Sequence, residues 1–234
     1  MRTGFRKLQY LGFQVKSHHG ETWKVLRKGI QAVDNAMNIW HIDTLEHGLS
    51  LGVNPNYYYH RILQEVISEN MHGRPLEQGI NLLEIEDMHG VPPQVLDKLK
   101  KGELLDDLQK QKLIKIKFHH AREMEHYQHD VLNRMINKKV GLVALPSSNL
   151  KLTGSLADHK DHPFSWWEKK GVKLGIGTDN YITLKTNFIQ EMMILLFSEP
   201  NDLKITKLLM VATQEKNRAV ISNALWQMRK AHIK

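Results

Sequence analysis

The chain has 234 residues, 41% hydrophobic and 25% charged, which excludes disordered, collagenous and membrane-embedded classes. No apolar run approaches the roughly 18 residues that span a bilayer, and residues 1–20 lack the apolar core of a signal peptide, so a cytoplasmic address with no membrane partner is expected. Cysteine is absent, so any metal must be held by His, Asp and Glu, and the formal charge of +8 gives only weak support for a nucleic-acid partner.

In chain order, short strand-like runs end in polar residues and are followed by amphipathic stretches, the rhythm of βα units. The first unit runs from Gly12 to His18 and continues into a helix with Leu26, Ile30, Val33 and Met37 on its apolar face. The second runs from Trp40 to Glu46 and ends at His47-Gly48. Its helix opens after Asn54-Pro55, carries Tyr59, Ile62, Leu63, Val66 and Ile67, and stops at His72-Gly73.

Between about 74 and 139 the rhythm changes to long charged stretches after Pro92-Pro93, with Leu104, Leu105, Leu108, Leu113 and Ile114 among them. This segment reads as a helical insertion of the kind that builds oligomer contacts or lids. Lys98, Lys100, Lys101, Lys110, Lys112, Lys115 and Lys117, interspersed with Glu103, Asp106 and Asp107, read as its solvated face. His119-His120 and the stretch from His126 to His129 receive the same reading.

The third unit, Val140 to Leu145, ends at Pro146-Ser147-Ser148-Asn149, and the fourth, Val172 to Gly177, ends at Thr178-Asp179-Asn180. Two apolar faces close the chain: Phe188, Ile189, Met192, Met193 and Leu196, then Ile205, Leu208, Leu209 and Ala212. The expected fold class is therefore α/β. Four parallel strands with a helical insertion make a partial (β/α) barrel, half of an eight-stranded one, with its site at the carboxyl ends of the strands.

The chemistry-bearing residues fall at those ends. His18, before His19-Gly20-Glu21, can ligate a metal, and Glu21 can shuttle a proton. His47, with Gly48 leaving room beside it, can stabilise developing charge, and Asp179 can bind a metal and accept a proton from water. Each has an ordinary structural reading too: a His before Gly as a loop residue, Glu21 as a first-turn acid, Asp179 as a helix N-cap. Their placement at successive strand ends points instead to metal-assisted hydrolysis.

His18-His19-Gly20-Glu21 resembles the His-x-Gly-Glu motif of the adenosine and AMP deaminases of the amidohydrolase superfamily. Leu45-Glu46-His47-Gly48 is similar to their His-Gly strand end and Pro146-Ser147-Ser148-Asn149 to their Cys-Pro-x-Ser-Asn segment. His162-Pro163 through Thr178-Asp179 is similar to their final helix and strand. The resemblance covers about 11–60 and 140–225 and implies the C-terminal half of such a barrel.

It also implies one Zn2+ per complete site, with His18 and Asp179 as ligands and Glu21 as proton donor to a purine ring nitrogen. His47 would be the electrostatic partner of the attacking hydroxide, Asp179 the base as well as a ligand, and Gly20 and Asn180 substrate contacts. The implied reaction is hydrolytic loss of ammonia from adenosine or an adenine nucleotide. With its insertion, the chain is also similar to the large prokaryotic defence deaminases, such as the adenosine deaminase subunit of the RADAR phage-defence system.

The chain departs from that pattern in three places. The His-x-His pair that family members carry on their first strand does not occur upstream of His18. Two ligands do not close a zinc site that takes three protein ligands and water. The chain alone is therefore expected to be inactive, its other ligands coming from an N-terminal half or a full-length deaminase chain in a homo- or hetero-oligomer. The alternative is a non-catalytic assembly or regulatory chain that keeps the fold. Asn180 stands where adenosine deaminases have a second Asp, and Leu145 replaces Cys.

Overall fold

Four strands, β1 (Lys16–His19), β2 (Thr44–His47), β3 (Gly141–Ala144) and β4 (Lys173–Ile176), form one all-parallel sheet in sequential order. The structure, a computed structural model, describes residues 2–198. The expected face of Ile205, Leu208, Leu209 and Ala212 lies outside the described residues. Within them, the α/β class and the four parallel strands are as the βα rhythm predicts.

The strands are shorter than the apolar runs suggest. Ahead of β1 and β2 a side chain supplements the backbone pairing: Asp43 N donates to Val15 O at 2.9 Å, and the Asp43 carboxylate accepts from Val15 N at 2.7 Å and from Gln9 Nε2 at 3.0 Å. Gln9 belongs to α1 (Arg2–Tyr10), which this contact ties to the base of the sheet.

Helix α2 (Leu26–Ile39) buries Leu26, Ile30, Val33 and Met37, the expected face, together with Gly29 and Ala36. Helix α3 (Pro55–Met71) starts with Asn54 accepting from Tyr57 N and Pro55 in the first turn, where its missing N–H costs nothing. It buries Tyr59, Ile62, Leu63 and Val66 and ends at His72, with Gly73 in the left-handed region at φ 67°.

The insertion comprises α4 (Ile80–Asp87), α5 (Pro93–Lys101) and the 31-residue α6 (Asp107–Asn137). Helix α6 opens with a reciprocal cap in which Asp106 Oδ1 accepts from Gln109 N and Gln109 Oε1 from Asp106 N. It buries Leu113, Lys117, His120, Ala121, Met124, Gln128, Val131, Leu132 and Met135, a stripe at helical spacing packed against α2 and α3.

That stripe corrects three expectations. Lys117 is only 2% exposed and donates to Asn56 Oδ1 at 2.9 Å, so it is no part of a solvated face. His120 is buried with its ring edge-on to Tyr59 and its Nε2 3.1 Å from the Tyr59 hydroxyl. In the His126–His129 stretch His126 is exposed, but Gln128 is buried and His129 is half-buried against the Trp166 ring. The insertion supplies much of the hydrophobic core and is not merely an appendage to it.

After β3, α7 (Pro146–Thr153) and α8 (Phe164–Lys169) lead to β4, followed by α9 (Tyr181–Leu184) and α10 (Phe188–Phe197). Met192 and Leu196 of α10 pack with Phe188, Ile189 and Met193 against Ile176 of β4, as their spacing predicts. No helix among the described residues is long and apolar enough to cross a membrane.

Candidate active site at the strand ends

Parallel strands in sequential order bring their carboxyl ends to one edge of the sheet, and the segments leaving that edge carry the predicted residues. In register, His18 faces Glu46 and His19 faces His47. The side chains do not follow that register, because His47 has a left-handed backbone with φ 72°, which breaks the strand's alternation. Its ring meets His18 instead, with centroids 4.0 Å apart and planes at 66°.

The glycines beside these histidines have a steric reason. Gly20 and Gly48 have φ of 72° and 60°. A Cβ on Gly20 would lie 2.6 Å from Ser50 Oγ, and one on Gly48 would lie 2.7 Å from Leu142 Cδ1. Asp179 has φ 53°, so two non-glycine residues in a costly conformation stand at this edge.

The polar groups form one connected set. His18 Nε2 lies 3.3 Å from Glu21 Oε2, and His18 Nδ1 3.6 Å from Glu46 Oε2. Glu46 also pairs with Lys16 at 3.3 Å. His47 Nδ1 is 3.5 Å from Glu21 Oε1, and His47 Nε2 is 3.9 Å from Asp179 Oδ2. The Ser148 hydroxyl lies between the two carboxylates, 2.6 Å from Asp179 Oδ2 and 3.1 Å from Glu21 Oε1. Asn149 Nδ2 donates to His47 Nδ1 at 3.1 Å, and His162 Nε2 lies 3.1 Å from Asn149 Oδ1.

His47 is fully buried whereas His18 is 51% exposed. Burial holds His47 below the ordinary imidazole pKa. The Glu21 carboxylate opposes that effect and His18 adds to it, so His47 is neutral at neutral pH. His19 is likewise lowered, by burial and then by His18, and its Nδ1 is bonded to the Ser17 hydroxyl.

By distance, His18, Glu21 and His47 each offer one ligand atom within 4.8 Å of the others. Two imidazoles and a carboxylate suit a divalent cation of the zinc type. Asp179 falls outside this group and adjoins it through His47 and Ser148. Of the two expected substrate contacts, Gly20 lines a depression of about 350 Å3 together with His18, Glu21 and Trp23. Asn180 instead caps α9, accepting from Thr183 N at 3.3 Å.

Ser148, Asn149, His162 and Glu191 had no role assigned from the sequence. Glu191, fully buried in α10, accepts from Ser147 N at 3.0 Å and from the Thr186 hydroxyl at 2.5 Å, anchoring the start of α7 where Ser148 and Asn149 stand. For Ser148 and Asn149 the Ser-Ser-Asn run after Pro146 at a strand end was the available signal, since polar residues opening a helix at that edge can face it. The chain matches no protein-family model, no curated protein and no solved structure.

Proposed function

We propose that the chain is the C-terminal catalytic portion of a zinc-dependent hydrolase that converts adenosine or an adenine nucleotide to the inosine form with release of ammonia. Its sheet would be a segment of a (β/α) barrel. The observation that carries this reading is the juxtaposition of His18, Glu21, His47 and Asp179, which come from three separate strand ends to one edge of the sheet.

Zinc, when bound, lowers the pKa of a coordinated water to about 7 and so supplies a nucleophile at neutral pH. His18 would hold it, with Asp179, which adjoins the His18, Glu21 and His47 group through His47 and Ser148, as second ligand and further ligands from an N-terminal half of the barrel. The buried His47 Nε2, which has no hydrogen-bond partner among the described residues, is available to the incoming oxygen. Asp179 takes a proton from the attacking water and Glu21 gives one to the purine ring nitrogen. A carbon–oxygen bond forms at the amine-bearing carbon, whose carbon–nitrogen bond breaks as the amino group takes the proton held by Asp179 and leaves as ammonia, while the proton of the added hydroxyl returns to Glu21. The Ser148 hydroxyl, in reach of both carboxylates, offers the proton a path between them. A cytoplasmic address and assembly with a complementary chain belong to the same reading, because β1 and β4 leave the sheet with two edges.

A second reading, a non-catalytic assembly or regulatory chain with this fold, is favoured by the exposure of His18 at the β1 edge, where a metal would lack enclosure. Ammonia release from adenosine, AMP and ATP separates the two. It should be measured with zinc on this chain, on this chain with a complementary N-terminal half, and on the Glu21→Gln form of that pair. Release by the pair that is lost in Glu21→Gln supports the deaminase. No release from any purine by the metal-loaded pair removes it.

A further inference from the structure

Distance admits His47 to the metal-ligand group, but its hydrogen bonds assign it elsewhere. The relay that reaches it starts from a donor of fixed polarity. The backbone N–H of Phe164 can only donate, and it points to His162 Nδ1 at 3.2 Å. Nδ1 is therefore the acceptor of that ring, and the proton of neutral His162 sits on Nε2. From Nε2 it faces an Asn149 side-chain atom at 3.1 Å, which must be the carbonyl oxygen. The amide of Asn149 is then the group turned to His47, and it donates to Nδ1 at 3.1 Å.

The reversed amide would need His162 to accept at both nitrogens, which only an imidazolate can do. All three side chains are buried, so water does not compete for these bonds. The Glu21 carboxylate, 3.5 Å from the same His47 nitrogen, is the one group that would favour a proton there, and it lies farther off than the Asn149 amide.

We propose that His162, acting through Asn149, is a positioning residue that fixes His47 as the Nε2–H tautomer. His47 then acts as a hydrogen-bond donor on the Asp179 side and stays out of the metal-ligand set. A neutral imidazole has one lone pair for coordination, and here Asn149 occupies it. The backbone polarity of α8's first residue thus sets the chemistry of a histidine on a different strand. The assignment holds for the metal-free chain and does not depend on which reaction the site performs.

The test is long-range proton–nitrogen correlation NMR on the full chain labelled with 15N-histidine, with His47 assigned by comparison with His47→Gln. In the wild-type chain His47 Nδ1 should show the shift of an unprotonated acceptor and Nε2 that of a protonated nitrogen. His162→Gln, whose amide reproduces the donor, should keep that pattern, and His162→Phe should give a mixture of tautomers. Asn149→Asp replaces the amide donor with an acceptor, so His47 should become the Nδ1–H form with a free Nε2. Zinc affinity of that variant should rise on the order of tenfold, because His47 joins the ligand set. A wild-type His47 protonated on Nδ1, or a His162→Phe spectrum identical to wild type at His47, overturns the proposal. Both readouts stand even where Asn149→Asp does not fold.

Discussion

Replacing Glu84 by Gln should abolish a fall in stability expected of the native chain on going from weakly acidic to weakly alkaline solution. Glu84 is fully buried in α4, where its Oε1 accepts from Leu26 N and from the Tyr58 hydroxyl, each at 2.7 Å. Its Oε2 is buried with no partner among the described residues. Burial pushes its pKa up to about 7 from the ordinary value of 4.5, against the pull of hydrogen bonding from Tyr58, Leu26 and, more weakly, Tyr59. The folded state thus holds the Glu84 proton more tightly than the unfolded chain does. The stabilisation is complete below pH 4.5 and is lost as the pH rises through 7, by about 3 kcal/mol. The substituted glutamine keeps an oxygen for both donors and cannot ionise, but its amide N–H group enters a buried site without a well-placed acceptor among the described residues, at a pH-independent cost of about 1–3 kcal/mol. Urea unfolding at pH 5 and pH 8 reads both effects, and titrations common to the two proteins cancel in their difference. Glu84→Gln should be less stable than wild type at pH 5 and equal or more stable at pH 8. Stability curves that run parallel between those values would refute the reasoning.

Gly48→Ala should lower stability by about 2–4 kcal/mol in thermal unfolding. The left-handed backbone and the 2.7 Å approach of Leu142 Cδ1 act together there. Lys117→Met should leave stability equal or raise it by about 1 kcal/mol, because burial already lowers the Lys117 pKa and its partner Asn56 is exposed enough for water to serve it. A loss above about 2 kcal/mol in urea would show the ammonium to be structural. Ser148→Ala should cut ammonia release by the zinc-loaded assembly at least about tenfold while costing under about 1 kcal/mol of stability, since Glu21 and Asp179 are partly solvated. Unchanged release would remove Ser148 from the proton path.

The sequence made the βα rhythm legible because its signals are local. Leu26, Ile30, Val33 and Met37 repeat at helical spacing, and Asn54-Pro55 and His72-Gly73 bound a helix. His18, Glu21, His47 and Asp179 were legible because polar residues following apolar strands collect at one edge of a parallel sheet. The inner face of α6 was hidden because Lys117, His120 and Gln128 occupy positions in its buried stripe, so the charge count dominated the periodicity. Each is tolerated only because a distant segment supplies its partner: Asn56, Tyr59, and the Ser50 and Val53 carbonyls. Such pairings depend on tertiary contact and leave no mark in local sequence. The action of Asn149 and His162 on His47 was illegible for the same reason, since the polarity of their relay originates in a backbone N–H.

The insertion also bears on the site through the backbone. Buried Gln128 of α6 donates to the carbonyls of Ser50 and Val53 at 3.0 and 2.8 Å, holding the turn that follows β2. From that turn Ser50 N donates to Gly20 O at 2.8 Å, and Gly48 N donates to His19 O at 3.0 Å. Gly20 immediately precedes Glu21, so the path from α6 to the carboxylate nearest both histidines runs through two short turns with no flexible side chain beyond Gln128. At its other end the insertion grips α2, since Glu84 takes the Leu26 N–H that opens that helix and Trp23 Nε1 donates to the Tyr58 hydroxyl beside it. The segment from Gly20 to Leu26 is therefore held at one end by the turn that Gln128 braces and at the other by Glu84 of the insertion. A lid must swing free of the sheet, whereas these bonds fix the loop that carries Glu21 to it, so the insertion acts as the brace of the site.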